Sequence, residues 1–243
     1  MHIDKVMFHP ESYPDKSEYP FCLPFLQDIS ALSFQSPVTF FVGENGAGKT
    51  TVLKAICQRC GIHIWQNEQG KRPRHSPYED ELYRFIEIAW RDGRVPGSYF
   101  SSQIFHDFTG FLDEWAAATP AILDYFGGSS LVTKSHGQSL MAYFASRYAI
   151  KGLYFLDEPE AALSPKNQLR FLKLILQNIR DGHAQFIIAT QSPILLACPG
   201  ASVLSFDGES VRSVAYEDTE HFRVYRDFLN DPGSFFNKEC SDL

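Results

Sequence analysis

The sequence predicts an α/β fold in which a mixed, largely parallel sheet is flanked by helices and carries an inserted helical lobe. Three short apolar runs, residues 153–156, 185–189 and 202–206, flank helical stretches. Strands that alternate with helices form parallel sheets buried on both faces. Residues from about 101 to 150 carry helical patterns only. We therefore expect residues 1–243 to form a single domain, with this segment as the lobe.

The composition limits the classes of protein that fit. A chain of 243 residues that is 44% hydrophobic can bury one large core. No apolar run approaches the roughly 18 to 20 residues of a membrane span, and the start lacks the layout of a secretion signal. We expect a cytoplasmic protein without direct membrane insertion. A net charge of -7 does not indicate nucleic-acid binding, although a local patch stays possible and residues 70–75 are the one dense basic run.

The first half of the chain contains three more strand signals. Residues 2–9 and the run "VTFFV" each have the length and composition of a strand. Residues 81–100 hold two aromatic and β-branched runs around Asp92-Gly93, which is a favoured hairpin turn. We therefore predict a hairpin there.

The clearest helix follows Ser164, which can cap its free amides, while Pro165 suits the first turn and Gly182 the end. Its apolar residues recur at helical spacing. The predicted buried stripe consists of Leu169, Leu172, Ile175, Leu176 and Ile179.

The run "TFFVGENGAGKTT" contains a phosphate-binding loop. Gly43, Gly46, Gly48, Lys49 and Thr50 fit G-x-x-x-x-G-K-[ST], directly after an apolar strand and before a helix. Glycines let backbone amides converge on phosphate oxygens, and the helix start adds favourable partial charge. We predict a nucleoside triphosphate site, with Lys49 on the terminal phosphates and Thr50 on Mg²⁺. The predicted ATP-binding residues are Glu44, Asn45, Gly46, Ala47, Gly48, Lys49, Thr50 and Thr51.

A pair of carboxylates completes this site. In "GLYFLDEPEAALSP" four apolar residues deliver Asp157 and Glu158 to the carboxyl end of a strand. Asp157 is expected to hold Mg²⁺ through water, and Glu158 to polarise the attacking water. A solvated structural turn is the alternative, but such a turn does not need two charges at a sheet edge.

Three of these segments together resemble one family. "GENGAGKTT", "LYFLDEPEAALSP" and "SHGQS" look like the Walker A, Walker B with D-loop, and signature motifs of the ABC-class P-loop ATPases. The resemblance covers roughly residues 36–206 and is nearest to the soluble branch of RecF, SMC and Rad50 heads and small bacterial ATPases. It implies an ABC-ATPase-like mixed sheet and Mg²⁺-dependent hydrolysis of ATP to ADP and phosphate.

The signature motif is imperfect. Ser135, Gly137 and Gln138 match the usual Ser-Gly-Gly-Gln, while His136 replaces the first glycine. Ser135 precedes Asp157 by 22 residues, which leaves room for a helix, a turn and the strand. In the resembled family this helix end faces the γ-phosphate held by the other subunit. The resemblance therefore implies an ATP-dependent head-to-tail homodimer with these residues acting in trans.

Two glutamines fit further positions of the family. Gln103 lies where the family has a Q-loop that senses the metal and the γ-phosphate, and Gln191 lies where many relatives carry a switch histidine. Glutamine can hydrogen-bond a phosphate but cannot take its proton at neutral pH, so we expect slow turnover. Candidates to stack on the adenine are the aromatic residues Tyr13, Tyr19, Phe21 and Phe25.

Cysteines leave one metal alternative open. Cys57, Cys60 and His63 have a spacing that could hold zinc, with His75 as a fourth ligand, but Cys57 also fits the apolar face of a helix. Packed thiols are the favoured interpretation.

The sequence leaves the biological role open. The leading hypothesis is a conformational switch that acts on an unknown protein partner, in DNA repair or phage defence, through the lobe or the amphipathic run "EHFRVYRDFL". Packing of that run on its own domain is the simpler interpretation. The alternatives are the nucleotide-binding subunit of an ABC transporter and a slow nucleotide-gated regulatory module of a nuclease or toxin.

Overall fold

The described residues of this computed structural model, 1–65, 76–102 and 136–239, form two sheets. The smaller sheet is antiparallel, with β1 (Ile3–Phe8) between β2 (Ala31–Ser33) and β4 (Ile86–Trp90). The other strands are β3 (Val38–Val42), β5 (Gly97–Ser101), β6 (Gly152–Asp157), β7 (Ala184–Ala189), β8 (Ser202–Ser205) and β9 (Arg212–Val214).

The helices follow the same chain order. They are α1 (Pro24–Asp28), α2 (Lys49–Arg59), α3 (His136–Tyr148), α4 (Pro165–Asn178), α5 (Pro193–Leu196), α6 (Glu220–Asn230) and α7 (Pro232–Glu239). Short 3₁₀ helices lie at Pro10–Ser12, Leu82–Phe85, Pro159–Ala162, Arg180–Gly182 and Tyr216–Asp218.

The larger sheet has the order β5-β6-β7-β3-β8-β9 and confirms the predicted sheet. Its first five strands run parallel, and only β9 pairs antiparallel, on β8. Every residue of β3, β6 and β7 is buried. Because β7 lies between β3 and β6, the segments that follow these three strands meet at one edge of the sheet.

The predicted hairpin around Asp92-Gly93 is wrong. Strand β4 pairs with β1, where Ile88 faces Val6, whereas β5 joins the other sheet, where Tyr99 faces Phe155 of β6. The turn residues therefore connect two sheets. Turn chemistry is local, but the partner of a strand is decided by the surface against which its side chains can be buried.

Helix α4 confirms the predicted start but corrects the stripe. Pro165 occupies its first turn, and the Ser164 carbonyl accepts the amides of Asn167 and Gln168, but the Ser164 hydroxyl makes no capping bond, contrary to the prediction. Leu172 and Ile175 are buried as predicted, but Leu169 is 54% exposed. The buried face is centred on Phe171 instead, and Leu176 and Ile179 are partly buried at its edge.

Two apolar layers cover the two faces of the larger sheet. Along β3, Phe41 packs in the layer that contains Val52 and Leu53 of α2, and Phe40 packs in the opposite layer beneath α3 and α4. This alternation is the period of two that strands impose. Both faces of the sheet are therefore covered by apolar side chains. Polar groups lie on the loops at the edge formed by the carboxyl ends of the parallel strands.

Most of the predicted helical lobe lies outside the described residues. Helix α3 lies near the end of that segment and agrees with the helix expected after the signature motif. Its Phe144 ring lies 4.5 Å from Phe171 of α4. The division into a single domain with an inserted lobe stays a prediction. Across the described ranges, every helix is too short or too polar to reach from one side of a bilayer to the other.

Candidate functional site

The loop between β3 and α2 has the backbone that phosphate binding requires. Gly43 and Gly48 have φ values of +142° and +89°, where residues with a side chain are strained. A Cβ on Gly48 would lie 2.8 Å from Leu23 Cδ1. Both positions therefore need glycine, and the loop delivers the chain into α2 at Lys49.

Lys49 is 6% exposed, and the loop wraps around its ammonium group. Its Nζ donates hydrogen bonds to the carbonyl oxygens of Gly43 at 2.5 Å and Glu44 at 2.8 Å. Burial lowers the pKa of Lys49, and neighbouring carboxylates, Glu158 first, oppose this effect. A buried cation of this kind gains strongly from an anionic ligand, because the ligand offsets the loss of water.

Oxygen donors suited to a divalent cation meet beside Lys49. The Thr50 hydroxyl donates to Asp157 Oδ1 at 2.8 Å, and the Tyr99 hydroxyl donates to Asp157 Oδ2 at 3.0 Å. Burial, followed by the charge of Asp157, raises the pKa of Tyr99 well above its usual value, so Tyr99 stays a donor. A hydroxyl and a carboxylate oxygen are ligands that Mg²⁺ accepts, so the donor set fits that ion.

Glu158 has an unusual backbone at the end of β6. Its φ is 47° and its ψ is 54°, the left-handed conformation that costs a residue with a side chain about 1 kcal/mol or more. Three hydrogen bonds hold its backbone. Its N–H donates to the Ala189 carbonyl at 2.9 Å, and its carbonyl accepts from the Ser102 hydroxyl at 2.7 Å and from the Ala161 N–H at 3.2 Å. Strain at a polar residue beside a cavity is typical of functional sites.

These groups surround a cavity of about 300 Å³ that extends along α2. Tyr19 lines it, and its hydroxyl is hydrogen-bonded to the Thr51 hydroxyl. The other three aromatic candidates for base stacking, Tyr13, Phe21 and Phe25, are buried in the core. The cavity lining is Tyr19, Asn45, Gly46, Gly48, Lys49, Thr50, Thr51, Lys54, Ala55, Gln58, Glu79, Asp80, Leu82 and Glu158.

Gln191 follows β7 and connects the phosphate loop after β3 with the segment after β6. Its side-chain Nε2 donates to Asn45 Oδ1 of the phosphate loop at 2.7 Å. Its backbone N–H donates to Glu160 Oε1, also at 2.7 Å. The position of β7 between β3 and β6 accounts for this placement, since a residue after the middle strand lies between the phosphate loop and the carboxylates.

Asp207 is a site residue that the sequence analysis missed. Its Oδ1 accepts the backbone N–H of Glu44 at 2.8 Å, and its Oδ2 accepts the Ser205 hydroxyl at 3.1 Å. A Cβ on Gly43 would lie 2.8 Å from the same Oδ1. The sequence does contain a signal for Asp207. It follows the apolar run of β8 directly, in the same way that Asp157 ends the apolar run of β6.

The structure brings most of the predicted residues together and leaves others undescribed. Six of the predicted ATP-binding residues and Glu158 line the cavity, while Ala47 packs partly against the core. Gln103 and Ser135 lie outside the described residues. Gly137 and Gln138 belong to the first turn of α3, and the position of the Gln138 side chain lies outside the described part as well.

The cysteine candidates are placed as packed thiols. Cys57 and Cys60 are buried, and burial is the main cause that raises the pKa of each thiol. Cys57 Sγ contacts the Ile62 carbonyl at 3.6 Å, and His63 is exposed. Over residues 1–65, 76–102 and 136–239, no three His, Cys, Asp or Glu side chains are grouped as a metal site. His75 lies outside these ranges.

A second, larger cavity of about 1080 Å³ lies beside the first and shares Asn45 and Glu158 with it. It is lined on its far side by apolar residues of α4 and α6, including Leu169 and Leu229. Of the amphipathic run in α6, Phe222 packs on Tyr216 at 4.6 Å between ring centroids. Packing on its own domain therefore accounts for only part of the run, because its remaining large apolar residues, and two of α7, are exposed: Val224, Tyr225, Phe228, Leu229, Phe235 and Phe236.

Comparisons with known proteins match two stretches of the chain. Residues 22–93 match a family model described as "AAA domain", and residues 138–197 match one described as "AAA domain, putative AbiEii toxin, Type IV TA system". No curated protein matches the chain by sequence. The two matched stretches, which contain the phosphate loop after β3 and the carboxylate pair after β6, are thus similar to AAA-type ATPase domains.

Two solved structures illustrate the similarity. The SMC head domain from Thermotoga maritima is 16% identical over 88% of this chain and 99% of that chain, with a TM-score of 0.47. The cbiO1 protein from Clostridium perfringens, part of the ABC transporter complex cbiONQ, is 18% identical over 98% of this chain and 99% of that chain, with a TM-score of 0.49.

Proposed function

We propose that the protein is a cytoplasmic, Mg²⁺-dependent ATPase whose ATP-bound form is a head-to-tail homodimer and whose hydrolysis acts on a partner protein. One observation carries the proposal. Lys49, Thr50 and Glu158 line one cavity, and Asp157 is hydrogen-bonded to Thr50 at its edge. A cation, two oxygen donors and an additional carboxylate are the groups that phosphoryl transfer to water requires.

Each residue of this set has a separate task in the proposal. Lys49 binds the terminal phosphates, and Thr50 and Asp157 hold the cation. When bound, Mg²⁺ supplies charge that neutralises the β- and γ-phosphate oxygens. Glu158 accepts a proton from the attacking water. Gln191 donates its amide N–H toward the γ-phosphate but takes no proton, so we expect turnover to be slow.

The dimer rests on the first turn of α3. A helix start carries free amides and a positive partial charge, so it attracts an anion. Ser135, Gly137 and Gln138 mark this start with the signature motif. In the proposal these groups of one copy contact the γ-phosphate held by the other copy, with Gln103 beside the metal.

A partner protein is supported by the exposed apolar surface of α6 and α7. Side chains such as Leu229, which is 71% exposed, and Phe236, which is 61% exposed, are costly to leave in water. The second candidate function is a nucleotide-gated regulatory module of a toxin or nuclease. The match of residues 138–197 to a family model described by a toxin–antitoxin system favours it.

The proposal is tested by ATP turnover per molecule, measured over a range of protein concentrations with Mg²⁺. The specific rate is expected to rise with concentration as dimers form, and Ser135→Ala is expected to lower it about tenfold or more, as loss of a γ-phosphate donor does. Glu158→Gln is the control for adventitious ATPases and should remove the activity. A specific rate that dilution never alters, equal in wild type and Ser135→Ala, would rule out the two-copy site.

The same assay, repeated with and without DNA, separates the regulatory module from a DNA-stimulated motor of the kind that acts in DNA repair. A rate that DNA stimulates favours a motor that acts on DNA, whereas a slow rate that DNA leaves unchanged favours the regulatory module.

A further inference from the structure

The segment after β7 is held by side chains that come from the D-loop region and from α4. Glu160 Oε1 accepts the backbone N–H of Gln191 at 2.7 Å. Gln168 Oε1 accepts the Ser192 hydroxyl at 2.6 Å, and its own amide donates to the Leu163 carbonyl at 3.0 Å. The backbone on both sides of the Gln191 side chain is therefore fixed.

The carboxyl group of Glu160 is buried, and its burial costs stability. Its Oε2 atom is buried, and burial is the main cause that raises the pKa of this carboxyl above its usual value. The hydrogen bond from the Gln191 N–H is the largest opposing influence. A carboxyl that is withdrawn from water costs stability unless it is hydrogen-bonded. The bond to the Gln191 N–H contributes most to this compensation, and the Thr190 hydroxyl and the Glu160 N–H add to it.

Hydrogen bonds connect three segments of the site through Gln191. Glu160 belongs to the 3₁₀ helix Pro159–Ala162, whose first turn begins at Glu158. From Gln191 the side chain continues to Asn45 of the phosphate loop at 2.7 Å. A shift of the 3₁₀ helix therefore moves the Gln191 backbone, and with it the amide that faces the phosphate loop.

We propose that Glu160 is a positioning residue, which holds the Gln191 backbone so that the Gln191 amide stays in place beside the phosphate loop. This inference rests on the proposed ATPase function. Neither Glu160 nor Gln191 is among the described residues that line the nucleotide cavity, but the Gln191 amide is bonded to Asn45, which lines it, so the effect of Glu160 on turnover runs through Gln191. The 3₁₀ helix that carries it thereby communicates with the γ-phosphate end of the site.

The test compares four variants, Glu160→Leu, Glu160→Gln, Gln191→Ala and the double variant Glu160→Leu/Gln191→Ala. Leucine removes the acceptor, whereas glutamine keeps an oxygen at Oε1. We expect Glu160→Leu to lower kcat about tenfold with little change in KM, as loss of one positioning hydrogen bond does. Glu160→Gln should restore most of kcat. In the Gln191→Ala background, Glu160→Leu should cause no further loss.

The inference is overturned if Glu160→Leu lowers kcat by the same factor with and without the Gln191 side chain, because Glu160 then acts by another route. It is also overturned if Glu160→Gln is as slow as Glu160→Leu. Should Glu160→Leu fail to fold, Glu160→Ala removes the same acceptor without placing an apolar group against the freed N–H.

Amide hydrogen exchange tests the inference without any turnover. Faster exchange of the Gln191 amide in Glu160→Leu, but not in Glu160→Gln, supports the positioning role. Unchanged exchange in both variants overturns it. If the wild-type protein has no ATPase activity, the proposed function is refuted. The exchange result still decides whether Glu160 positions the Gln191 backbone.

Discussion

Replacement of Asp207 tests whether the phosphate loop is ordered from the end of β8. The Asp207 carboxylate accepts the Glu44 N–H at 2.8 Å, and Glu44 is exposed. Water can therefore replace the lost acceptor, so loss of the Glu44 bond in Asp207→Ala costs the net value of one hydrogen bond, about 1 kcal/mol. The variant also removes the acceptor of the Ser205 hydroxyl, which lies outside the phosphate loop. If the lost bond destabilises the loop conformation that binds ATP by this amount, the Kd for ATP rises about fivefold.

The charge of Asp207 needs its own control. A carboxylate near the loop repels the triphosphate, so its removal favours binding and hides part of the loss. Asp207→Asn removes the same charge but keeps an oxygen that accepts the Glu44 N–H. The ratio of the two Kd values therefore isolates the hydrogen bond.

Calorimetric titration with a non-hydrolysable ATP analogue and Mg²⁺ measures both values. We expect Asp207→Ala to bind about fivefold more weakly than Asp207→Asn. Equal Kd values for the two variants would refute the idea that Asp207 orders the loop.

Two further predictions concern buried groups. The pKa of Glu160 is raised in the folded state from the usual 4.5, so its contribution to stability is full below pH 4.5 and is lost as the pH rises through the folded value. The free energy of unfolding of Glu160→Gln, relative to wild type, should therefore increase from pH 4.5 to mildly alkaline pH in urea titrations. A pH-independent difference would contradict the raised pKa. Alkylation followed by mass spectrometry should label Cys22, which is exposed, in the native protein, but Cys57 and Cys60 only after unfolding. Rapid native labelling of Cys57 would show that its thiol is accessible.

The parts of the fold that follow local rules could be predicted from the sequence. The loop from Gly43 to Thr50 combines required glycines, an apolar strand and a helix start, so a single segment carries all of the information. Asp157 follows from the same logic, because a polar residue that ends a buried strand must lie at the sheet edge.

Contacts between distant segments could not be predicted in this way. The hairpin at Asp92-Gly93 was wrong because the partners of β4 and β5 are chosen by tertiary packing. Leu169 was assigned to the core because its spacing fits the stripe, but α4 is rotated so that Phe171 is central. Tyr99 is bonded to Asp157, which lies 58 positions further along the chain, and Asp207 is bonded to Glu44, which lies 163 positions before it. Spacing along one segment does not encode such pairs.

Glu158→Gln provides the most direct test of the central claim that one copy binds ATP and a second copy completes the site. The substitution keeps the size of the side chain but removes the proton acceptor, so ATP is bound and is not consumed. Sedimentation velocity measures the molecular mass of the Glu158→Gln protein in the presence of Mg²⁺ and either ATP or ADP. We expect a dimer with ATP and a monomer with ADP. A strictly monomeric Glu158→Gln protein, loaded with ATP at high concentration, would contradict the account.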